Sequence, residues 1–117
     1  MALLTVQRTN GNTGAALTAN AVSASDTFAN DGATIIIVRN RNASSCTVGI
    51  APATASAYVA GRGTFTSPTI SQAVAAGTDA VFGPFDPNQY NNASGQVTVT
   101  FSIQTTVTAT PLAMDRL

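Results

Sequence analysis

Short runs in which apolar and hydroxyl side chains alternate constrain the fold of this chain more than any other feature. In the run GQVTVTFS, Val97, Val99 and Phe101 alternate with Thr98 and Thr100. Alternation with a period of two places successive side chains on opposite faces of a β-strand. The run therefore predicts a strand with an apolar inner face and a hydroxyl-rich outer face.

Similar runs recur along the 117 residues, separated by Gly, Pro, Asn and Asp. The chain contains no Lys or Glu, so two of the strongest helix-forming residue types are missing. Several short strands with turns every 8 to 12 residues are typical of a sandwich or a jelly roll. We therefore predict an all-β fold: a single antiparallel, jelly-roll-like β-sandwich of about eight short strands that spans residues 1–117. Strands are expected near 3–8, 32–42, 45–52, 95–104 and 105–114. Residues 15–31 are expected to hold one short strand plus a loop, and a long loop is expected to include a short strand around 57–59. Two short strands joined at 76–78 are expected over 69–82.

Three of these segments carry more specific predictions. The run TIIIV at residues 34–38 has apolar side chains on both faces, which indicates a strand covered by the core on one side and by something else on the other. Its connection NRNASS predicts a hairpin with the following strand, SCTVGI. In the last strand, Pro111 is expected to end the strand, because proline cannot donate to a ladder.

The charge content narrows the classes of partner. Five Arg and five Asp give a formal net charge of zero, and charged residues make up 9% of the chain. Such a surface lacks the basic stripe that nucleic-acid binding requires, so no nucleic-acid partner is expected. Low charge also protects poorly against self-association, which slightly favours a subunit of an assembly. The N-terminus does not resemble a signal peptide and no apolar run is long enough for a membrane helix, so we expect cytoplasmic synthesis and no membrane partner.

The residues needed for common catalytic and metal chemistry are mostly absent. Without His, Lys or Glu, a Ser or Thr nucleophile has no ordinary base, and we predict that the chain is not an enzyme. Asp26 and Asp31 fall in DTFANDG, where a turn is favoured over a pair of catalytic carboxylates. Cys46 is the single cysteine and is predicted to be a buried structural thiol. One Cys without His cannot hold zinc, so no metal site and no cofactor are expected.

Binding of carbohydrate is the main alternative from another functional class. Sandwich modules of this kind stack sugars on exposed aromatic rings, but this chain has no Trp and two Tyr, Tyr58 and Tyr90. Tyr90 follows a Pro-rich corner and is expected to pin the corner through its hydroxyl group. A structural use of Tyr90 is therefore favoured over a sugar platform.

Two stretches carry a resemblance to a known group of proteins. They are FANDGATIIIVRNRNASSCTVGI, and AAGTDAVFGPFDPNQYNN followed by GQVTVTFS and a terminal Arg-Leu. Together they resemble small all-β proteins encoded among bacteriophage head genes, in which an Asn-Asp-Gly strand start and a Gly-Pro-Phe-x-Pro-x-x-Tyr-Asn corner recur in this order. The match covers residues 28–50 and 75–117 and is weaker between them. The residues carried over as determinants of the fold are Gly83, Pro84, Phe85, Pro87, Tyr90 and Asn91.

The resemblance implies a structural protein of the virion, most plausibly a capsid decoration (cement) subunit. Such subunits sit on the outer surface of the head, usually as homotrimers, across junctions of the major capsid protein. The implied partners are therefore the major capsid protein and further copies of the chain, and the implied location is the outer surface of the capsid. A role in the phage neck or tail, or as a module that binds host glycans on the virion, stays open as the alternative.

The two ends of the chain provide candidate subunit contacts. Both MALLT and LAMDRL contain apolar side chains, and chain ends are ordered when they dock on a surface. We expect these ends to contact either their own sandwich or a neighbouring subunit. The candidate contact residues are Leu3, Leu4, Leu112, Met114 and Leu117.

Overall fold

The computed structural model describes residues 2–8, 16–53, 56–66 and 68–113. These ranges contain twelve strands and one single-turn helix. In chain order the elements are β1 Ala2–Leu3, β2 Gln7–Arg8, β3 Asn20–Ala21, β4 Ser25–Ala29, β5 Thr34–Asn40, β6 Cys46–Ile50, β7 Ser56–Val59, β8 Gly63–Thr66, β9 Ile70–Val74, β10 Asp79–Phe82, α1 Pro87–Tyr90, β11 Gln96–Phe101 and β12 Val107–Ala113.

Ten of the strands form two five-stranded sheets. Sheet A has the order β1-β4-β11-β6-β9, and sheet B has the order β10-β5-β12-β2, with β3 also paired to β12. The remaining strands, β7 and β8, form a hairpin of their own. The predicted all-β sandwich is confirmed, and the extra strands beyond the expected eight include the two-residue strands β1, β2 and β3.

The core lies between the two sheets and follows the alternation read from the sequence. In β11, Val97, Val99 and Phe101 are buried, whereas Thr98 and Thr100 lie on the other face. Strand β5 contributes Ile36 and Val38 from the facing sheet. Apolar side chains buried this deeply contribute about 1.5–3 kcal/mol each to folding. The described core is one continuous cluster of buried side chains.

The first strand departs from the prediction. Instead of one strand over residues 3–8, β1 pairs with β4 in sheet A and β2 pairs with β12 in sheet B. Both pairings are parallel, so the sandwich is not purely antiparallel as expected. Between the two strands the chain crosses from one sheet to the other, and Leu4 is buried in the core at the crossing. We call residues 2–8 the N-terminal strap.

The predicted hairpin of β5 with β6 is wrong, because the two strands lie in opposite sheets. β5 pairs with β10 and β12, while β6 pairs with β9 and β11. The buried side chain of Asn40 donates to the carbonyls of Ser44 and Val74, both at 2.9 Å, and holds the connection across the sandwich. A hairpin and an arch between sheets need the same alternation in the flanking strands, so the sequence pattern did not distinguish them.

Pro111 does not end β12, which continues to Ala113. Antiparallel pairs alternate between hydrogen-bonded and non-bonded. The bond from the backbone N–H of Arg41 to the carbonyl of Thr106 (3.0 Å) sets this alternation and makes Pro111 and Ile36 a non-bonded pair. On its other edge, β12 pairs with β3 before Pro111 and with β2 after it. The missing N–H of Pro111 therefore removes no ladder bond, and the proline is tolerated inside the sheet.

Candidate functional site

The segment from β10 to β11, which carries most of the recognisable motif, is a tightly packed corner at the end of the sandwich. Gly83 ends β10 with φ of 108° and precedes Pro84 through a cis peptide bond. A Cβ atom on Gly83 would lie 3.2 Å from the carbonyl oxygen of Thr34 and 3.2 Å from the Cα of Ile35. The chain can turn here because residue 83 has no side chain.

Phe85 packs at the centre of the corner. Its side chain is 2% exposed and lies in the core cluster. The ring centroid of Phe85 is 5.9 Å from that of Phe28 and 5.7 Å from that of Tyr90, with both ring pairs tilted. Tilted aromatic pairs at these separations are favourable beyond the area that they bury. The expected insertion of Phe85 as an apolar plug agrees with this geometry.

The single-turn helix α1 fixes the second half of the corner. Pro87 occupies the start of the helix, and the carboxylate of Asp86 accepts a hydrogen bond from the N–H of Asn88 at 2.9 Å. Proline at the first helical position and an acidic cap are both favoured at helix starts. Tyr90 closes the turn, is 9% exposed, and donates its hydroxyl to the carbonyl of Pro68 at 2.9 Å. Tyr90 therefore pins the corner to the segment before β9.

A pair of asparagines joins the corner to β4. The side chain of Asn91 donates to the backbone carbonyl of Asn30, and the side chain of Asn30 donates back to that of Asn91, both at 2.8 Å. Asn30 also donates to the carbonyl of Phe85 at 3.1 Å. Sequence reasoning picked Asn91 but not Asn30, although Asn30 opens the Asn-Asp-Gly motif. The sequence did contain a signal for Asn30, because the Asn-Asp-Gly motif and the corner occur together in the proteins that the chain resembles.

The six residues carried over from the resemblance thus sit together, and their functional groups contact their own chain. Four of them are used in packing or in hydrogen bonds within the corner, as described for Gly83, Phe85, Tyr90 and Asn91. Pro84 follows the cis bond and Pro87 starts α1. In this structure the corner residues pack against and bond to their own chain.

The candidate subunit contacts are placed very differently from one another. Leu3 in β1 is 63% exposed, whereas its neighbour Leu4 is 3% exposed and belongs to the core of its own chain. The prediction that Leu4 contacts a neighbouring subunit is therefore wrong, because its side chain packs inside its own chain. Leu112 in β12 is half-buried on the outer face of sheet B. Met114 and Leu117 lie outside the described residues.

The outer face of sheet B carries several apolar side chains that are not fully buried. Ile35 and Ile37 of β5 are half-buried on this face, and Val81 of β10, directly opposite Ile37, is 62% exposed. The sequence predicted apolar side chains on both faces of β5, and the structure agrees. On this outer face the side chains are only partly covered, since Ile35 and Ile37 are half-buried and Val81 is exposed.

One end of this face carries the charged cluster Arg39, Arg41 and Asp79. A guanidinium nitrogen of Arg41 lies 2.7 Å from one carboxylate oxygen of Asp79, and Nε of Arg39 lies 3.9 Å from the other. The hydrogen bond from Arg41 holds the pKa of Asp79 below its usual value. Since the cluster is exposed to water, the pairing is expected to add little to stability.

The other candidate chemical groups are engaged in local contacts. Asp26 is buried in β4 and accepts hydrogen bonds from the backbone N–H of Ser23 at 2.8 Å and from its hydroxyl. Asp31 accepts from the N–H of Ala33 at 3.0 Å, which lowers the pKa of Asp31. DTFANDG is thus half strand and half turn, rather than a turn throughout as expected. Cys46 is buried, as predicted, and its thiol lies 3.4 Å from the carbonyl of Ile103.

No three His, Cys, Asp or Glu side chains lie together so as to hold a metal ion within residues 2–8, 16–53, 56–66 and 68–113. In the same ranges no helix has the length and apolar content to span a membrane. A pocket of about 150 Å³ lies beside the corner, where Arg8, Asn30, Asp31 and Thr34 contribute to its lining. The amide of Asn30 already bonds to the corner, so this side chain is not free for a ligand.

Comparison with known protein families, with curated proteins and with solved structures finds no match to this chain.

Proposed function

We propose that this chain is a structural protein of a bacteriophage virion, a decoration subunit that stabilises the head by binding across junctions of the major capsid protein. The observation that carries the proposal is the resemblance of residues 28–50 and 75–117 to small proteins of phage heads. In support, the recurring residues of that resemblance, such as Phe85 and Tyr90, form the packed corner that connects sheet B to sheet A. The recurring residues are used in folding. This fits a protein that acts by binding other proteins through its surface.

The proposed mechanism is mechanical. A subunit that buries surface across the seam between two shell proteins must be detached before the seam can open. Stable interfaces bury about 1,200–2,000 Å² in total, and attachment of several linked copies adds avidity. The half-exposed apolar surface of sheet B and the exposed Leu3 are the parts of the described chain best suited to such contacts. Following the resemblance, we propose a homotrimer on the outer surface of the capsid.

The number and position of copies in intact particles test this proposal. Quantitative gel analysis and density of particles at the outer shell should give hundreds of copies, with density across capsid-protein junctions. Six or twelve copies would instead place the chain in the neck or tail. Absence of the chain from purified particles would refute any virion role.

Binding of host glycans is the alternative from a different class, and Tyr90 does not favour it. The ring of Tyr90 is buried and its hydroxyl is already bonded to Pro68, so it offers no platform for a sugar. For Tyr58 the structure describes the backbone, in β7, and not the side chain. Binding on a glycan array that is lost on Tyr58→Ala would support the alternative and contradict a purely structural role.

A further inference from the structure

Strand β10 lies at an edge of sheet B and exposes an apolar side chain at its centre. Among the described residues, β5 is the partner strand of β10, and no strand is paired on its other side. Val81 is 62% exposed, one of the most exposed large apolar side chains in the described chain. Natural edge strands usually carry Lys, Pro or a bulge that discourages pairing with another strand. The centre of β10 has none of these devices.

The hydrogen-bond pattern shows which backbone groups face the open edge. The N–H of Asn40 donates to the carbonyl of Thr78 at 3.0 Å, so these two residues form a hydrogen-bonded pair at the start of the ladder. Hydrogen-bonded and non-bonded pairs alternate along antiparallel strands. Counting from Thr78, the backbone N–H and C=O groups of Asp79 and Val81 point away from β5. These groups are positioned to bond to an added strand.

We propose that two copies of this chain pair through β10 in an antiparallel arrangement, with Val81 of one copy opposite Val81 of the other. A two-fold axis requires one residue of the strand to lie opposite itself or its neighbour. Val81 is the residue whose outward backbone groups and exposed apolar side chain both lie at the centre of β10. The pairing joins the two B sheets into one continuous sheet.

The side chains of the outer face fit this arrangement. Within one copy, Ile37 lies directly opposite Val81. In the dimer the outer face therefore presents a row of four apolar side chains, Ile37 and Val81 from each copy. Apolar side chains that lie directly opposite each other on one face of an antiparallel sheet are close enough to pack together and so stabilise the pairing. The row also brings the exposed side chain of Val81 into contact with its counterpart in the second copy.

The charges of β10 select the antiparallel orientation and favour a second copy as the occupant. Asp79 lies two residues before Val81, so in this register the two Asp79 residues lie four residues apart along the ribbon, or about 13 Å. Charges at this separation are largely screened, because the Debye length is about 8 Å at physiological salt. A parallel pairing would instead place the like clusters side by side. Since the chain has no net charge, two copies meet without overall repulsion.

The edge strand of sheet A on the same side of the molecule, β9, is a weaker candidate. It contains no charged residue, but its exposed side chains at Ser71, Gln72 and Ala73 are small or polar, so covering them removes little apolar surface from water. The side chain of Gln72 also donates to the carbonyl of Ala73 at 3.2 Å and so occupies one backbone acceptor of this strand. The β9 edge therefore provides the matched control.

Sedimentation of the purified chain tests the inference without any capsid component, so the result does not depend on the proposed function. A contact through one short strand is small, and small interfaces are usually weak. The measurement should therefore extend to hundreds of micromolar protein. Because a two-fold axis pairs subunits, the largest species should have an even multiple of the 11.8 kDa chain mass: two chains, or six if a threefold contact also forms. A chain that stays monomeric, or that forms only a trimer, would overturn the inference.

Matched substitutions locate the contact. Val81→Asp places a charge at the proposed axis and should raise the dissociation constant of the pair about tenfold or more. Ala73→Asp places the same charge on the β9 edge and should leave it unchanged. Thermal unfolding of both variants at low concentration checks that the monomer still folds. Equal effects of the two variants, or an effect of Ala73→Asp alone, would refute pairing through β10.

Cross-linking provides a second readout that does not depend on affinity. Val81→Cys should form a covalent dimer under mild oxidation or with a short bifunctional maleimide, whereas Ala73→Cys should not. The native Cys46 is buried and serves as the internal control in the unsubstituted chain. Failure of Val81→Cys to cross-link above the level of Ala73→Cys would count against the arrangement.

Discussion

At the scale of single residues, buried polar side chains of this protein form hydrogen bonds with its own backbone. Asn40 is fully buried, yet its amide donates to the carbonyl of Ser44 in the β5–β6 connection and to that of Val74 at the end of β9. Thr110 is equally buried and donates its hydroxyl to the carbonyl of Thr18 at 2.7 Å. Among the described residues, no buried side-chain nitrogen or oxygen lacks a partner. Burying such groups without a bond would cost about 1–3 kcal/mol each.

Gly83→Ala should be one of the most damaging small substitutions in the chain. The new methyl group would press against the backbone of Thr34 and Ile35, and φ of 108° disfavours any side chain. We expect the free energy of unfolding to fall by about 2–4 kcal/mol, from backbone strain and overpacking together. Chemical denaturation measures the change.

Gly77→Ala is the matched control for this substitution. Gly77 also has a positive φ, 74°, but nothing lies within 4 Å of an added Cβ. The loss should be about 1 kcal/mol, from backbone strain alone. Equal losses for the two variants would contradict a close-packed corner.

Asp31 should make stability depend on pH. The N–H of Ala33 lowers the pKa of Asp31 in the folded state below the ordinary 3.8. A carboxyl group with a depressed folded pKa stabilises the protein fully above its unfolded pKa, and this contribution is lost as the pH falls through the folded pKa. Asp31→Asn keeps an oxygen that can accept from Ala33 but does not titrate.

The comparison of wild type with Asp31→Asn isolates this contribution, since Asp79 titrates in both proteins. Denaturant melts give the free energy of unfolding of each protein. The wild-type value minus the Asp31→Asn value should be larger at pH 6 than at pH 2.5. A difference that is the same at both pH values would show that the bond to Ala33 does not favour the charged form.

At the scale of elements, the N-terminal strap closes one side of the sandwich. Its two short strands pair with different sheets, and the N–H of Leu4 donates to the carbonyl of Thr27 at 2.8 Å between them. The strap is also held by the side chain of Gln7, which bonds to the backbone of Ala16 and Thr18. Strands of two residues pair weakly by themselves, so the buried side chain of Leu4 must supply much of the attachment.

Leu4→Ala should therefore destabilise the whole domain. Truncating a buried leucine costs about 2–5 kcal/mol, from lost burial and the remaining cavity. Leu3→Ala, one residue earlier, removes a side chain that is mostly exposed and should cost less than about 0.5 kcal/mol. Denaturant melts of the two variants measure the difference. If Leu3→Ala were the more damaging, the placement of the strap would be wrong.

The sequence predicts where strands occur and which face of a strand is buried, but it does not predict which strands pair with each other. The burial of Val97 and Val99 follows from local alternation alone. β6 crosses to the other sheet instead of returning beside β5, and at this crossing Asn40 bonds to carbonyls four and 34 residues away. Local patterns carry no information about such contacts. The tolerance of Pro111 also depends on the register between strands, which no single run of sequence reveals.

The corner was easier to predict than the surfaces. Gly, Pro and Asn have local conformational preferences that mark a turn, and an aromatic residue between two turns marks a plug. The buried position of Leu4 and the exposure of Val81 could not be predicted, because both are apolar residues in short runs and differ only in their place in the sheets. Exposure of such residues is a property of topology.

At the scale of the whole molecule, low charge and two open sheet edges lie on one small sandwich. In the described chain, β9 ends sheet A and β10 ends sheet B, and the short connection over residues 75–78 joins them. Both edges therefore lie on the same side of the molecule. On the opposite side, the two-residue strands β1 and β2 of the strap end the two sheets. Because β9 and β10 are longer, their side of the molecule offers more unpaired backbone to further strands.

This distribution of charge predicts how a proposed decoration subunit should respond to salt. Ten charged side chains are present in 117 residues, and the pair Arg41 and Asp79 already satisfies two of them within the chain. Salt weakens contacts between exposed charges, whereas contacts made by apolar side chains and backbone groups are little affected. Particles that carry the protein should therefore retain it through washes in molar NaCl and lose it in urea, as followed by gel analysis of pelleted particles. Arg41→Gln should leave retention in salt unchanged, because it removes a charge that is paired internally. Release of the wild-type protein by moderate NaCl, or by Arg41→Gln alone, would show that ion pairs hold it to the shell and would contradict the apolar contact proposed for sheet B.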